Sequence, residues 1–186
     1  MINLMLGDCL ERMKEIESGS VDMILADPPY GTTACKWDSI IPLEPMWEQL
    51  KRIIKPNGAI VMTASQPFTS VLITSNLKMF KYCLVWEKSR SSSPMLAKKQ
   101  PMRFHEDLCI FYKRQPTYNP IMAEGNKNHG TKAGNAIINI HGGIKSEFKA
   151  NTSKMKYPRS VIKIKSTDST RNLHPTQKPV ALMEYL

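Results

Sequence analysis

Asp27-Pro28-Pro29-Tyr30 puts a carboxylate, two ring-constrained peptide units and an aromatic ring into four consecutive positions. The prolines fix φ and stiffen the turn. The Asp27 carboxylate and the Pro28 carbonyl can therefore be held in advance as two hydrogen-bond acceptors. Acceptors aimed at the protons of an aromatic amine localise a lone pair otherwise delocalised into its ring. Tyr30 offers a flat face on which such a ring can stack. This suits attack by a weak amine nucleophile on an electrophilic carbon. Asp and Pro are also common in ordinary turns, and on its own the tetrapeptide reads equally well as a strand-to-loop turn. The apolar run Val21–Ala26 just ahead of it favours a site, because ligands bind beyond the carboxyl ends of buried parallel strands.

Charge is distributed unevenly along the 186 residues, which carry a net +10. Residues 1–87 hold 8 Lys and Arg against 10 Asp and Glu, whereas residues 88–171 hold 17 against 5. A basic segment of this kind suits a phosphate backbone, and equally a solvated lysine-rich surface. Lys98, Lys99, Arg103, Lys113 and Arg114 flank the candidate active site in sequence and are the first candidates for phosphate contacts. His105 and Glu106 could act as an acid–base pair. Direct attack by an amine needs no strong base beforehand, since the proton can leave after the new bond forms. A structural or polyanion-positioning role for them is the better reading. Any base-reading side chains are expected within Lys127–Lys165.

Other classes are set aside on composition. No apolar run approaches a membrane span, and the N-terminus lacks the parts of a signal peptide, so a cytoplasmic location is expected. Cys9, Cys35, Cys83 and Cys109 form no C-x-x-C pair and fit no zinc spacing. Reduced thiols are expected, with Cys83 and Cys109 serving as small hydrophobes in strands. His129 and His141 are too isolated for a metal site, and no metal is expected.

The elements that must position these residues alternate. Cys9–Ile16 has helical spacing, Val21–Ala26 reads as a strand, and Leu43–Ile54 reads as a helix stopped by Lys55-Pro56-Asn57-Gly58. Ala59–Thr63 is a strand, Pro67–Leu77 a helix, and Phe80–Trp86 the next strand. This rhythm predicts an α/β fold with a mostly parallel sheet. Lys88–Met102 reads as a loop, and Leu108–Tyr112 as a further strand. From Lys113 to Asn172 the composition turns to Gly, Asn, Lys and Ser, with strand-like pieces at Ala136–Ile140 and Ser160–Ile164. That segment is expected to be an insertion outside the parallel sheet. The expected organisation is an α/β part over 1–112, an insertion over 113–172 and a further element beginning at 173.

On these residues the chain resembles the S-adenosylmethionine-dependent amino-methyltransferases that modify adenine N6 or cytosine N4 in DNA. The tetrapeptide looks like their catalytic motif. Gly7-Asp8-Cys9-Leu10, Ser65-Gln66-Pro67-Phe68, Leu84–Lys88, Arg103–Asp107 and His174-Pro175-Thr176-Gln177-Lys178-Pro179 resemble further segments in the family's order. The resemblance implies a Rossmann-like methyltransferase sheet with an inserted basic target-recognition region. It implies catalytic roles for Asp27, Pro28, Pro29 and Tyr30, and S-adenosylmethionine contacts from Asp8, Cys9, Asp27, His174 and Lys178. It implies double-stranded DNA as partner, met by Lys98, Lys99, Arg103, His105, Lys113 and Arg114. The two bland alternatives are a turn-fixing histidine at 174 and a solvated lysine at 178.

The order of motifs resembles the permuted beta arrangement, in which a Gly-rich F-x-G-x-G-type loop would come next. Gly142-Gly143 lacks the strand–turn–helix context to replace it. The resemblance thus implies a chain stopping short of that loop: a truncated product, a fragment, or half of an enzyme completed by a homodimer or a second chain. Carbon-5 methylation of cytosine needs a thiolate after proline, and no Cys here follows Pro. Asp at the first motif position favours adenine, since the cytosine-N4 motif more often begins with Ser. A DNA-binding module without catalysis, a cytosine-N4 enzyme and an RNA amine methyltransferase remain as alternatives.

Overall fold

The computed structural model describes residues 2–92, 94–126, 153–167, 173–174 and 176–186. They fall into two compact units, one of Met1–Thr117 with Ser160–Leu186 and one of Tyr118–Arg159. The second unit contains a short antiparallel pair, β5 (Ala123–Glu124) and β6 (Met155–Lys156). The strand expected at Ala136–Ile140, Gly142-Gly143, His129 and His141 lie outside the described residues.

In the first unit, α1 (Cys9–Met13), β1 (Val21–Ala26), α2 (Leu43–Ile53), β2 (Ile54–Ala64), α3 (Phe68–Ser75) and β3 (Phe80–Glu87) follow one another. β4 (His105–Phe111), β7 (Val161–Lys163) and α4 (Val180–Tyr185) complete it. The five strands are ordered β1-β2-β4-β3-β7. β1 with β2 and β3 with β7 are parallel, while β4 runs antiparallel to both β2 and β3.

The sheet is thus mixed rather than mostly parallel. Leu108–Phe111 is buried on both faces, and a run apolar throughout reads the same in either direction. Its direction is set by the connection. Among the described residues of 88–104 the only helical turn is a 3-10 turn at Pro94–Leu96, and without a crossover the chain returns antiparallel. Val161–Lys163 is a second correction. It pairs with Val85–Glu87 in the main sheet instead of staying in the insertion, and buries Ile162 there. Three residues flanked by lysines and serines carry too weak a pattern to reveal this.

Burial alternates as a two-sided sheet requires. Ile60, Met62, Cys109 and Phe111 pack on one face with Met46, Trp47 and Leu50 of α2 and with Phe68 and Leu72 of α3. Val61, Leu108, Ile110, Trp86 and Ile162 pack on the other face with Leu182 of α4. Trp47 anchors the first layer, its ring 4.8 Å from Phe111 and its Nε1 donating to Ser75 Oγ at 2.7 Å.

α2 stops where the sequence stops it, but β2 begins at once, at Ile54 rather than Ala59. The register jumps from Val21↔Ile54 to Met23↔Ala59, so Lys55–Gly58 bulges out of the ladder, as Pro within a strand demands. A Cβ on Gly58 would lie 2.7 Å from the Asp22 carbonyl. The apolar run Ile2–Leu6 has no regular structure, and Ile2, Leu4 and Leu6 stand exposed.

Candidate active site

One rim of the sheet gathers four strand ends. Ala26 pairs with Met62, Ala64 with Asp107, and Glu87 with His105. The carboxyl ends of β1, β2 and β3 therefore meet the amino end of the reversed strand β4. Asp27–Tyr30 leaves β1 at this rim and lines a cleft of about 990 Å³.

The turn after Tyr30 is built by two devices. Gly31 has φ +66°, a left-handed conformation open to glycine, and a Cβ there would come within 2.9 Å of Ile40 Cγ1. Asp38 then clamps the loop. Its Oδ1 accepts from Gly31 N at 2.9 Å, and its Oδ2 from Thr32 N and Thr33 N at 2.8 and 2.7 Å. Burial pushes the Asp38 carboxyl up, but these N–H donors outweigh it and leave it below the ordinary carboxylate value. Sequence reasoning missed Asp38, which has no local signature.

Tyr30 is fixed on several sides. Its ring stacks on Phe68 at 5.5 Å with 18° between the planes. Its hydroxyl donates to Asp27 Oδ1 at 3.0 Å and lies 3.3 Å from Glu106 Oε2. Burial, then the charges of Asp27 and Glu106, push the phenol far above its ordinary value, so it stays protonated. Thr63, fully buried on β2, donates through Oγ1 to Asp27 Oδ1.

Two lysines balance the two carboxylates. Lys178 Nζ lies 2.9 Å from Asp27 Oδ1, 3.0 Å from Oδ2 and 3.4 Å from Glu106 Oε2. It also lies 5.3 Å from the Tyr30 ring centroid. Lys88 Nζ is 2.9 Å from Glu106 Oε1. The side chains of Lys88, Lys178 and Glu106 are 8, 9 and 13% exposed. Charges this buried persist only when paired, and here two of each sign pair off. Lys88 and Glu106 were not expected in this cluster, although both lie in stretches that carried the resemblance. Thr63 sits in an unremarkable strand and gave no signal.

The remaining expected residues divide by position. His174 lines the cleft, its ring 5.1 Å from Trp37 and its Nδ1 2.9 Å from Thr176 Oγ1. Arg103 lines it too, with Nη1 donating to Ser65 Oγ at 2.6 Å and to Gln66 O at 3.2 Å. That bonding makes it a brace for the loop after β2. His105 stands at the same rim, exposed and opposite Glu87. Lys98 and Lys99 are exposed in the turn after Pro94–Leu96.

Asp8 and Cys9 do not line the cleft. Asp8 instead caps α1, accepting from Leu10 N at 2.8 Å. Burial, followed by the Asp8 charge, raises the Cys9 thiol. Lys113 and Arg114 follow the far end of β4, about 17 Å of strand from Glu106. Their closeness in sequence does not bring them to the cleft, because β4 runs away from it. Among the described residues, no cluster of His, Cys, Asp and Glu could hold a metal ion, and no helix is long and apolar enough to cross a membrane.

Comparison with known proteins places this geometry in context. The family model described as DNA methylase (N6_N4_Mtase) matches residues 21–186. The chain is 28% identical over 197 residues to the DNA adenine methyltransferase YhdJ of Escherichia coli (strain K12), covering 96% of this chain and 63% of that protein. It is 25% identical over 203 residues to the type II methyltransferase M.HpaI of Haemophilus parainfluenzae, covering 97% and 57%. The chain thus spans about three-fifths of the length of these curated relatives. The fold is similar to the solved PvuII cytosine-N4-specific DNA methyltransferase, with TM-score 0.61, 14% identity and coverage of 97% of this chain and 67% of that one. It is also similar to M1.HpyAVI solved in complex with SAM, with TM-score 0.56, 20% identity and coverage of 99% and 74%.

Proposed function

Since the chain belongs to the N6/N4 DNA methylase family, we propose that it transfers a methyl group from S-adenosylmethionine to the exocyclic amine of a base extruded from double-stranded DNA, with adenine N6 as the target. The observation that carries this reading is the Asp27 carboxylate at the rim of the cleft, held by Thr63 and Tyr30. An oriented carboxylate can accept an N–H of the amine and localise its lone pair. Asp27 Oδ2 can then hold the proton the amine sheds.

The residues fit the cofactor. A cleft of about 990 Å³ accommodates a nucleoside with an amino-acid tail. Lys178 would supply the ammonium for its carboxylate, Asp27 a counter-charge for its sulfonium, and Trp37 and His174 flat surfaces for its base, all from the lining of this cleft. Bound S-adenosylmethionine supplies an electrophilic methyl on a sulfonium. Phe68 backs the Tyr30 ring and so fixes the platform beside which the base would lie.

Adenine is favoured over cytosine because Asp, not Ser, opens the tetrapeptide. The relative matched at 28% identity is itself named an adenine methyltransferase. The test is transfer of labelled methyl from S-adenosylmethionine to DNA, followed by digestion to nucleosides. Label in N6-methyladenine, abolished by Asp27→Ala, supports the reading. Label in N4-methylcytosine would reassign the base. Transfer undiminished by Asp27→Ala would remove Asp27 from its role.

A further inference from the structure

Between Lys88 and His105 the chain forms a hairpin loop over the cleft. Its stem is closed by Lys88 N donating to Phe104 O at 2.7 Å and Ser92 N donating to Arg103 O at 3.0 Å. Its tip is a compact turn. Ala97 N donates to Pro94 O at 3.2 Å, and Lys99 N and Gln100 N donate to Leu96 O at 2.8 and 3.0 Å. Leu96 lines the cleft, whereas Met95 is 95% exposed. Lys98 and Lys99 are exposed on the same turn.

A fixed turn that holds a long apolar side chain in water, beside two ammonium groups, matches one class of partner. Extruding a base opens a gap in the stack and costs the lost stacking energy. An apolar side chain entering that gap recovers part of the lost stacking, and methionine, unbranched and polarisable, adapts to base faces. Lysines beside it meet the phosphates that flank the gap. The complement of this tip is apolar at its centre and anionic at its edges.

We propose that Pro94–Leu96 is a wedge. Met95 enters the duplex at the place vacated by the extruded base, and Lys98 and Lys99 hold the adjoining phosphates. The wedge rests on the reading of the cleft as the site for an extruded base.

The test uses the full chain and a DNA duplex bearing 2-aminopurine in a mismatch with cytosine. The mismatch lowers the cost of extrusion. Wild-type protein at saturation should raise the 2-aminopurine fluorescence several-fold as the probe leaves the stack. Met95→Ala should cut that rise by about half or more while weakening binding by no more than about threefold, and Met95→Leu should restore it. Lys98→Ala with Lys99→Ala should weaken binding about tenfold at low salt and leave the saturated rise unchanged. A full rise with Met95→Ala overturns the wedge and leaves base extrusion standing. Binding by wild type with no rise overturns extrusion and the wedge together. Sedimentation of the protein alone supplies one more outcome: loss of self-association in Met95→Ala would make the tip a contact between copies of the chain and overturn the wedge.

Discussion

Lys178 reaches Asp27 across 151 residues of chain, placing its ammonium 3.0 Å from Oδ2 and 2.9 Å from Oδ1. These oxygens are also the acceptors that an amine substrate needs. For an amine to reach them the ammonium must give way, and Glu106 at 3.4 Å offers it a second anchor. Lys178→Met should lower affinity for S-adenosylmethionine about tenfold, equal to about 1.4 kcal/mol, because the ammonium suited to the cofactor carboxylate is gone. Calorimetry on a variant shown to be folded by circular dichroism checks this. Unchanged affinity would confine Lys178 to its pairing with the two carboxylates.

Tyr30 separates ring from hydroxyl. Tyr30→Phe keeps the stack on Phe68 but deprives Asp27 and Glu106 of a donor. It should cost about 1 kcal/mol in folding stability and reduce methyl transfer. Tyr30→Ala also loses the ring and should cost about 3–5 kcal/mol. Chemical denaturation of both variants tests the split, and equal losses would contradict it. A base platform alone would make the Phe variant almost silent; the carboxylates around the hydroxyl predict a measurable loss instead.

The same residue predicts an alkaline signature. The folded state holds the phenol above its ordinary value of 10.0. Above that pH the unfolded chain releases the proton while the folded chain keeps it. Stability from this source is therefore complete below about pH 10 and declines as pH rises further. Denaturation midpoints measured from neutral pH upward should fall more steeply for wild type than for Tyr30→Phe. Parallel curves would contradict the raised phenol.

Asp38 predicts the opposite limb. Its carboxylate is favoured in the folded state, so its contribution is present above the ordinary value of 3.8 and is lost as pH falls through the lower folded value. Asp38→Asn replaces one accepting oxygen with a donor facing backbone N–H groups. It should cost about 1.5–3 kcal/mol at neutral pH and flatten the acid limb. Gly31→Ala should weaken the same loop, because its φ is +66° and its Cβ would strike Ile40. Acid titration of stability checks the first, and urea denaturation at pH 7 the second.

Lys113→Ala with Arg114→Ala should leave DNA affinity nearly unchanged, whereas Lys98→Ala with Lys99→Ala should lower it and flatten its salt dependence. Filter binding over a range of salt distinguishes the pairs. A steeper loss at 113 and 114 would place the DNA path at the far end of β4.

That contrast shows what the residue order makes legible. The strand before Asp27, the helix ending at Ile53 and the clustering of the tetrapeptide with His174 and Lys178 could all be read from apolar spacing and motif order. The direction of β4 could not, because Leu108–Phe111 is apolar on both faces. That direction decides which basic residues lie beside the cleft, and Lys113 and Arg114 do not line it. Asp38 and Thr63 were illegible for a different reason. Each acts through one hydrogen-bonding side chain, set seven residues from Gly31 and 36 from Asp27 respectively, and no periodicity marks such a partner.

The hairpin between Glu87 and His105 also bears on how such a chain can change. Its two ends are direct ladder partners, so the sheet registers only that the ends meet and not how far the chain travels between them. Doubling a loop costs only about 0.6 kcal/mol in closure entropy. The segment carrying Met95, Lys98 and Lys99 can therefore be lengthened, shortened or exchanged while Asp27, Tyr30 and Glu106 keep their positions. On the proposed wedge, an exchanged tip changes the DNA-facing surface while the cleft residues stay unaltered, and the reversed strand makes that separation available.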